Sequence, residues 1–293
     1  MTEPGRAPTD CWADWLLRGR QRGMGEAQVR RLKSGLRRVR NRVLRGGRLR
    51  VGQDVLDVGA GTGLLALEAC RRVGHSGRVV ALDISRSALR ECRQQSDSKE
   101  PVASLHLVVG SALHLPFRDR CFDAVLTRSV LIYLIDKPAV VRGLYRVLRP
   151  GGRASIFEPI NVASEAYASD WGLELSAVRP AHDRIVTYLR EHWAHEKAML
   201  GFDERDLAGS FVAAGFDSVG LTYEYRYERG RRRTAEIITS LRVRPNPTLP
   251  SYEEAARATL GDAADDHLLR LSRLMRSQPL TGVGAAAYIT ARR

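Results

Sequence analysis

The sequence predicts an α/β fold: a doubly wound, mostly parallel sheet of seven strands with helical lid insertions. Three observations predict it. Short apolar runs alternate with helix-period segments from about residue 50 onward. A glycine-rich turn joins the first run to the first helix, and an acidic residue ends the second run. Near-continuous apolar strands read as buried on both faces, which a parallel sheet covered by helices requires.

Two helices precede the sheet. Cys11 to Gly19 and Glu26 to Leu44 carry helical periodicity, with RGRQRGMG as the turn between them, and residues 1–10 are expected to be disordered. Asp54–Val58 is the first strand and Thr62–Val73 the first core helix. Arg78–Leu82 and Ser85–Gln95 repeat the unit; Leu105–Val109 and Phe122–Thr127 are the third and fourth strands. A helix over Lys137–Leu148 leads through the turn RPGG into a fifth strand, Arg153–Phe157. A helix over Asp203–Ala214 stops at Gly215, a strand covers Asp217–Tyr225, and Gly284–Ala291 returns to the sheet. Two segments interrupt the alternation. Residues 160–200 are helical and rich in His and aromatics, and 228–282 hold the loop RPNPTLP with helices around Tyr252–Leu260 and Asp262–Met275. The expected organisation is an N-terminal helical extension or lid over 1–49 and a main domain over 50–293, with helical insertions at about 160–200 and 228–282. Insertions above the C-terminal edge of a parallel sheet are where such folds build lids.

Composition narrows the class. Apolar residues make up 44% of 293, enough for a sizeable core, and no run approaches the roughly 18 apolar residues of a membrane span. The start MTEPGRAPTD lacks the basic and apolar regions of a secretory signal, so a cytoplasmic protein with no membrane partner is expected. Cys11, Cys70, Cys92 and Cys121 form no CxxC pair, and no metal is expected; Cys70 and Cys92 read as small core residues. The net charge of +14 has two readings. Only four of the 47 basic residues are Lys, so a compositional bias toward Arg is one. The other is a phosphate or acidic partner, since Arg30 to Arg50 contains no acid. Within that stretch Val29, Leu32, Leu36, Val39 and Val43 mark the apolar stripe of an amphipathic helix with a basic opposite face.

The sharpest motif is VLDVGAGTG, Val55 to Gly63. A strand ends at Asp57–Val58, and Gly59, Gly61 and Gly63 let the backbone turn tightly and approach a ligand closely. The spacing is GxGxG; the dinucleotide fingerprint wants glycine where this chain has Leu64. Asp83 ends the second strand, 20 residues after Gly63, where a carboxylate can accept both hydroxyls of an adenosine ribose.

In order, VLDVGAGTG, ALDIS, GSALHLPF, FDAVLTRSVLIYLIDK and LYRVLRPGGRASIFEPI resemble the class I S-adenosylmethionine-dependent methyltransferases, in particular the ubiquinone/menaquinone branch. The resemblance covers about residues 50–160 and implies a Rossmann-like sheet. It implies S-adenosylmethionine as cofactor and S-adenosylhomocysteine as product. By it, the loop with Gly59, Gly61 and Gly63 passes under the methionine part, Asp83 holds the ribose, and Asp57 and Ile84 are further cofactor-binding residues. Ser111, Ala112 and Leu113 lie beside the adenine, with Ser111 where the family usually has Asp, and Arg128 flanks the methionine end. The chain has TRSVL after the fourth strand, not the [DNS]PP[YFW] tetrapeptide of amino-methylating DNA enzymes.

Methyl transfer from a sulfonium is largely a matter of holding the acceptor in line, with a general base where the acceptor is a hydroxyl or protonated amine. Candidates for base or acceptor contact are Glu158, His192 and Tyr133. Tyr188, His192 and His195 share one helical face, and His182 lies nearby. Each His is also readable as a plain surface or core residue, and Glu158 as a loop-bonding one. Trp12 and Trp15 read either as a hydrophobic anchor or as an acceptor lid. The expected acceptor is a small molecule. Two alternatives stand: the same chemistry on a peptide, protein or RNA guided by residues 30–50, and a non-catalytic cofactor-binding protein. A homodimer is a further open alternative.

Overall fold

Burial singles out the strands. In β1 (Asp54–Val58) the side chains of Val55, Leu56 and Val58 are wholly buried, as are Val79 and Ala81 of β2 (Arg78–Asp83) and Ala124, Val125 and Leu126 of β4 (Phe122–Arg128). With β3 (Ser104–Val109), β5 (Leu148–Pro159), β6 (Ser218–Gly230) and β7 (Leu280–Arg292) they form one seven-stranded sheet of order β3-β2-β1-β4-β5-β7-β6. The ladders from β3 through β5 are parallel; β7 runs antiparallel between β5 and β6. The computed structural model describes residues 10–97, 103–164, 170–195, 197–230 and 234–293. The disorder expected of residues 1–9 falls outside these.

Each face has its own helices. On one side α2 (Glu26–Gly46), α3 (Ala66–Val73) and α4 (Arg86–Asp97) cover Val55, Val79, Ala81, Ala124 and Leu126. On the other, α5 (Lys137–Val147) and α8 (Glu204–Ala213) cover Leu56, Val58, Leu82, Val125, Ile156 and Ile289. α6 (Arg179–His195) is followed by the single turn α7 (Lys197–Leu200). α6, α9 (Thr234–Ser240), α10 (Tyr252–Leu260) and α11 (Ala264–Ser277) contribute to a separate apolar cluster that includes Ile185, Leu241, Ala255, Leu271 and Met275. Its polar centre is the Tyr252 hydroxyl, 2.8 Å from Nδ1 of His182 and 3.0 Å from Nε2 of His267. Both segments that interrupt the strand–helix alternation contribute to this cluster.

Several boundaries differ from expectation for local reasons. The first core helix begins at Ala66, because Gly63 adopts φ of 88° and the Asp57 carboxylate takes the Ala66 N–H at 2.9 Å. RPGG is part of β5: Leu148 pairs with Phe122, and the ladder slips before resuming at Ala124–Arg153, with Gly151 at φ of 79°. β6 and β7 outrun their expected lengths, pairing as far as Gly230–Leu280. Asp10 is ordered: its carboxylate caps α1 (Cys11–Leu17) through Ala13 N–H and accepts from the Ser85 hydroxyl and Ser87 N–H. Cys70 and Cys92 are buried in the core, as expected.

The last turn of α2 lies on the sheet at Gly46. A methyl group there would meet Ser155 Oγ at 2.4 Å and Thr290 Cγ2 at 2.7 Å. Gly46→Ala is expected to cost about 1–3 kcal/mol despite the better helix propensity of alanine, read as a lower urea midpoint with unchanged slope.

Candidate active site

The C-terminal ends of β1, β2 and β4 open into a cavity of about 1040 Å³. Its floor is the turn after β1. Gly59 and Gly61 adopt φ of 69° and 54°, and a side chain at 59 would strike Val130 at 2.2 Å. Asp83 fixes this turn: one carboxylate oxygen accepts the Gly61 N–H at 2.7 Å, the other the Ser85 N–H at 2.8 Å. Burial raises the Asp83 pKa, opposed by those two N–H donors. Asp57 lies beneath, with one oxygen on Ala66 N–H and the other, buried Oδ1, without a hydrogen-bond partner among the described residues. Burial lifts the Asp57 carboxyl to about 8.

Of the residues expected to hold the cofactor, Asp57, Gly59, Gly61, Asp83, Ile84, Ser111, Ala112 and Arg128 all line the cavity. Gly63 and Leu113 do not. A Cβ on Gly63 would meet Cys92 Sγ at 2.5 Å, so this glycine serves helix packing, and Leu113 is turned outward, its N–H on Ser111 Oγ. The floor suits an adenosyl sulfonium. Its side-chain-free turn admits close backbone approach, Asp83 presents a carboxylate to hydroxyls, and the free oxygen of Asp57 awaits a cation or donor.

The catalytic expectations divide. Tyr133 lies on the cavity wall, its ring edge-on to Trp12 at 4.8 Å, and burial raises its pKa. Glu158 and His192 do not line the cavity, which corrects the expectation for both. Glu158 is fully buried and accepts from the N–H groups of Val130, Leu131 and Ile132 at 2.9, 3.0 and 3.1 Å. Both its oxygens are thereby committed to the turn after β4, although burial lifts its pKa to about 7. His192 Nδ1 lies 2.7 Å from the Tyr188 carbonyl, and its ring leans on that of Tyr188. His182 belongs to the buried lid core, and the side chain of His195 lies outside the described residues.

Sequence reasoning left Trp12 and Trp15 open between anchor and lid, and missed Leu16 and Arg20. Trp12, Trp15, Leu16 and Arg20 all face the cavity, so the tryptophans both anchor and cover: Trp15 Nε1 donates to the Arg244 carbonyl at 2.9 Å. Arg20 stands over the Trp15 ring at 5.7 Å. Burial, then the field of Arg20, lowers the Arg128 pKa to about 10. The helix-capping pattern at Asp10 was the one available signal, because it places α1 against Ser85 and Ser87 beside the site.

A sheet of this order, with a glycine turn after β1 and an acid ending β2, defines the class I methyltransferase scaffold. Comparisons agree. Residues 55–152 match a family described as a methyltransferase domain. The ubiquinone/menaquinone biosynthesis C-methyltransferase UbiE of Serratia proteamaculans is 33% identical over 180 residues, 58% of this chain and 69% of that protein. UbiE of Klebsiella pneumoniae matches to the same extent. Among solved structures, the YcgJ protein of Bacillus subtilis aligns with a TM-score of 0.53 at 17% identity, over 88% of this chain and 98% of that one. A Haemonchus contortus phosphoethanolamine N-methyltransferase 2 aligns with a TM-score of 0.51 at 17% identity, over 88% and 52%. At such identity these two speak to fold alone. The chain belongs to the S-adenosylmethionine-dependent methyltransferase family that includes the UbiE enzymes.

Two outcomes are expected. Asp83→Ala weakens S-adenosylmethionine binding by about 1–3 kcal/mol in calorimetry, the cost of unpaired hydroxyls and a loosened turn. With its carboxyl at about 8, Asp57 is mainly protonated at pH 7. A bound cation favours the carboxylate, so binding at pH 7 releases a proton and affinity rises from pH 6 toward a plateau above 8. Calorimetry in buffers of different ionisation enthalpy reads that release; its absence means Asp57 does not face the cationic part.

Proposed function

We propose that the enzyme methylates a compact, largely apolar small molecule held between the sheet edge and the lids. The observation that carries this reading is the cavity. At about 1040 Å³ it exceeds what one drug-sized ligand needs, and Trp12, Trp15, Leu36, Tyr133, Leu189 and Leu200 are on its wall. The UbiE relatives, named for their part in ubiquinone and menaquinone biosynthesis, support an acceptor of that kind.

Bound S-adenosylmethionine supplies a methyl group on an already activated leaving group. In this reading Asp83 and Ser111 hold the adenosine, Asp57 and Arg128 the methionine part, and Tyr133 with Trp12 orients the acceptor. Glu158 acts at one remove, as the strut that keeps Val130–Ile132, and so Tyr133, in place. Catalysis then rests on alignment and exclusion of water, with no His or Glu as general base. A polymer guided by residues 30–50 fits less well. Leu32 and Leu36 of α2 line the cavity, while Arg37, Arg38 and Arg45 are exposed and absent from its wall.

Incubation of cell extract with the enzyme and methyl-tritiated S-adenosylmethionine tests the acceptor class. Label is expected to pass a filter of about 3 kDa in a species that chromatography separates from S-adenosylmethionine itself. Label retained with protein or RNA would sink the reading.

A further inference from the structure

At the end of the sheet away from the cavity, four arginines gather that, among the described residues, pair with none of the acids around them. Arg153 of β5 and Arg292 of β7 are direct cross-strand partners, an arrangement of like charges that ordinarily destabilises a ladder. Arg153 is level with Ala124, which is level with Val55 near the start of β1, about 13 Å along the strand from the glycine turn. Gly46 rests on Ser155 and Thr290, two residues along those same strands, so the C-terminus of α2 brings Arg48 and Arg50 to the pair. Partial burial, then the fields of Arg48, Arg292 and Arg50, hold the Arg153 guanidinium below the usual arginine range. None of these four side chains forms an ion pair among the described residues. The acids at this end are engaged elsewhere: Asp54 and Asp123 with Arg149, and Asp54 also with Arg78. Asp217, next to Ser218 opposite Arg292, makes no ion pair with it.

The cationic surface continues along α2. Arg38 and Arg45 are exposed on that helix, about 10 Å apart along its axis. A single phosphate does not need a track of that length. Val51 is the exposed large apolar neighbour, 74% accessible, and one valine is a weak interfacial anchor for a membrane. What such a row of guanidiniums matches is a row of phosphates.

We propose that Arg48, Arg50, Arg153 and Arg292, extended by Arg38 and Arg45, form a docking surface for the sugar–phosphate backbone of a nucleic acid. The surface is separate from the methyl-transfer site and independent of the acceptor's identity. It reads no sequence, because its contacts go to phosphate. It localises the enzyme on the polymer while the cavity stays open.

The test is fluorescence anisotropy of a labelled mixed-sequence 20-bp duplex with the full chain over a salt series. With about four phosphates neutralised, the slope of log affinity against log salt is expected near −3.6, a loss of about 150-fold between 50 and 200 mM. R153Q/R292Q, and separately the surface variant R48Q/R50Q, should each reduce the slope by about 2 and weaken binding at least tenfold at 50 mM. Both should keep wild-type affinity for S-adenosylmethionine, which shows that they fold. R273Q/R276Q removes the same charge from exposed positions on α11 and should leave the slope within about 0.5 of wild type. Equal losses in the control and the patch variants would mean that net charge alone binds, and would overturn the proposal. So would binding to phosphatidylglycerol vesicles without binding to the duplex.

Discussion

The bond from the Gly61 N–H to the Asp83 carboxylate is the constraint on which the rest of the site depends. It joins the turn after β1 to the end of β2, and the same carboxylate starts the next turn through Ser85. Two neighbouring crossovers are thus held by one side chain at the edge where the sheet opens. The turn it holds has no room for alternatives: Val130 closes on Gly59 from the β4 side, and Leu16 of α1 reaches Gly61 from above. A glycine loop alone would be soft. Tied to a neighbouring strand, it becomes a preformed floor.

Around that floor, charge is arranged with economy. Glu158 is buried yet satisfied by three backbone donors, so its cost of desolvation is offset by fixing the turn that carries Tyr133. Lys137 is handled in a similar way, donating to the Leu134 and Ala198 carbonyls with its ammonium over Phe202. The contrast is Asp57, whose second oxygen is buried without a hydrogen-bond partner among the described residues. Buried polar groups are normally paired, and this one stands beneath the turn that floors the cavity.

The sheet and its floor were legible because their signals are local. The apolar runs of β1, β2 and β4, the glycines at 59 and 61, and Asp83 each act within a few residues of their place in sequence. Gly63 shows the limit of such reading: it shares the motif, but Cys92, 29 positions later, decides that its role is packing. Glu158 and His192 failed for a related reason. Residue type makes them plausible bases, yet whether a carboxylate faces a cavity or a row of backbone N–H groups depends on the path of the turn after β4. Arg20 was unreadable as a site residue, and Trp12 and Trp15 stayed open between anchor and lid, since only the folded chain carries them back over the sheet.

The lid between β6 and β7 has a consequence for how this protein can diversify. Gly230 and Leu280 are ladder partners, so the insertion leaves and re-enters the sheet at neighbouring points. Closing a segment whose ends are already adjacent costs little more when it lengthens, since the penalty grows only with the logarithm of its length. The roof can therefore be rebuilt, enlarged or exchanged while the strands beneath keep their register. Change of guest molecule and preservation of the methyl-donor floor are, in this architecture, separable evolutionary problems.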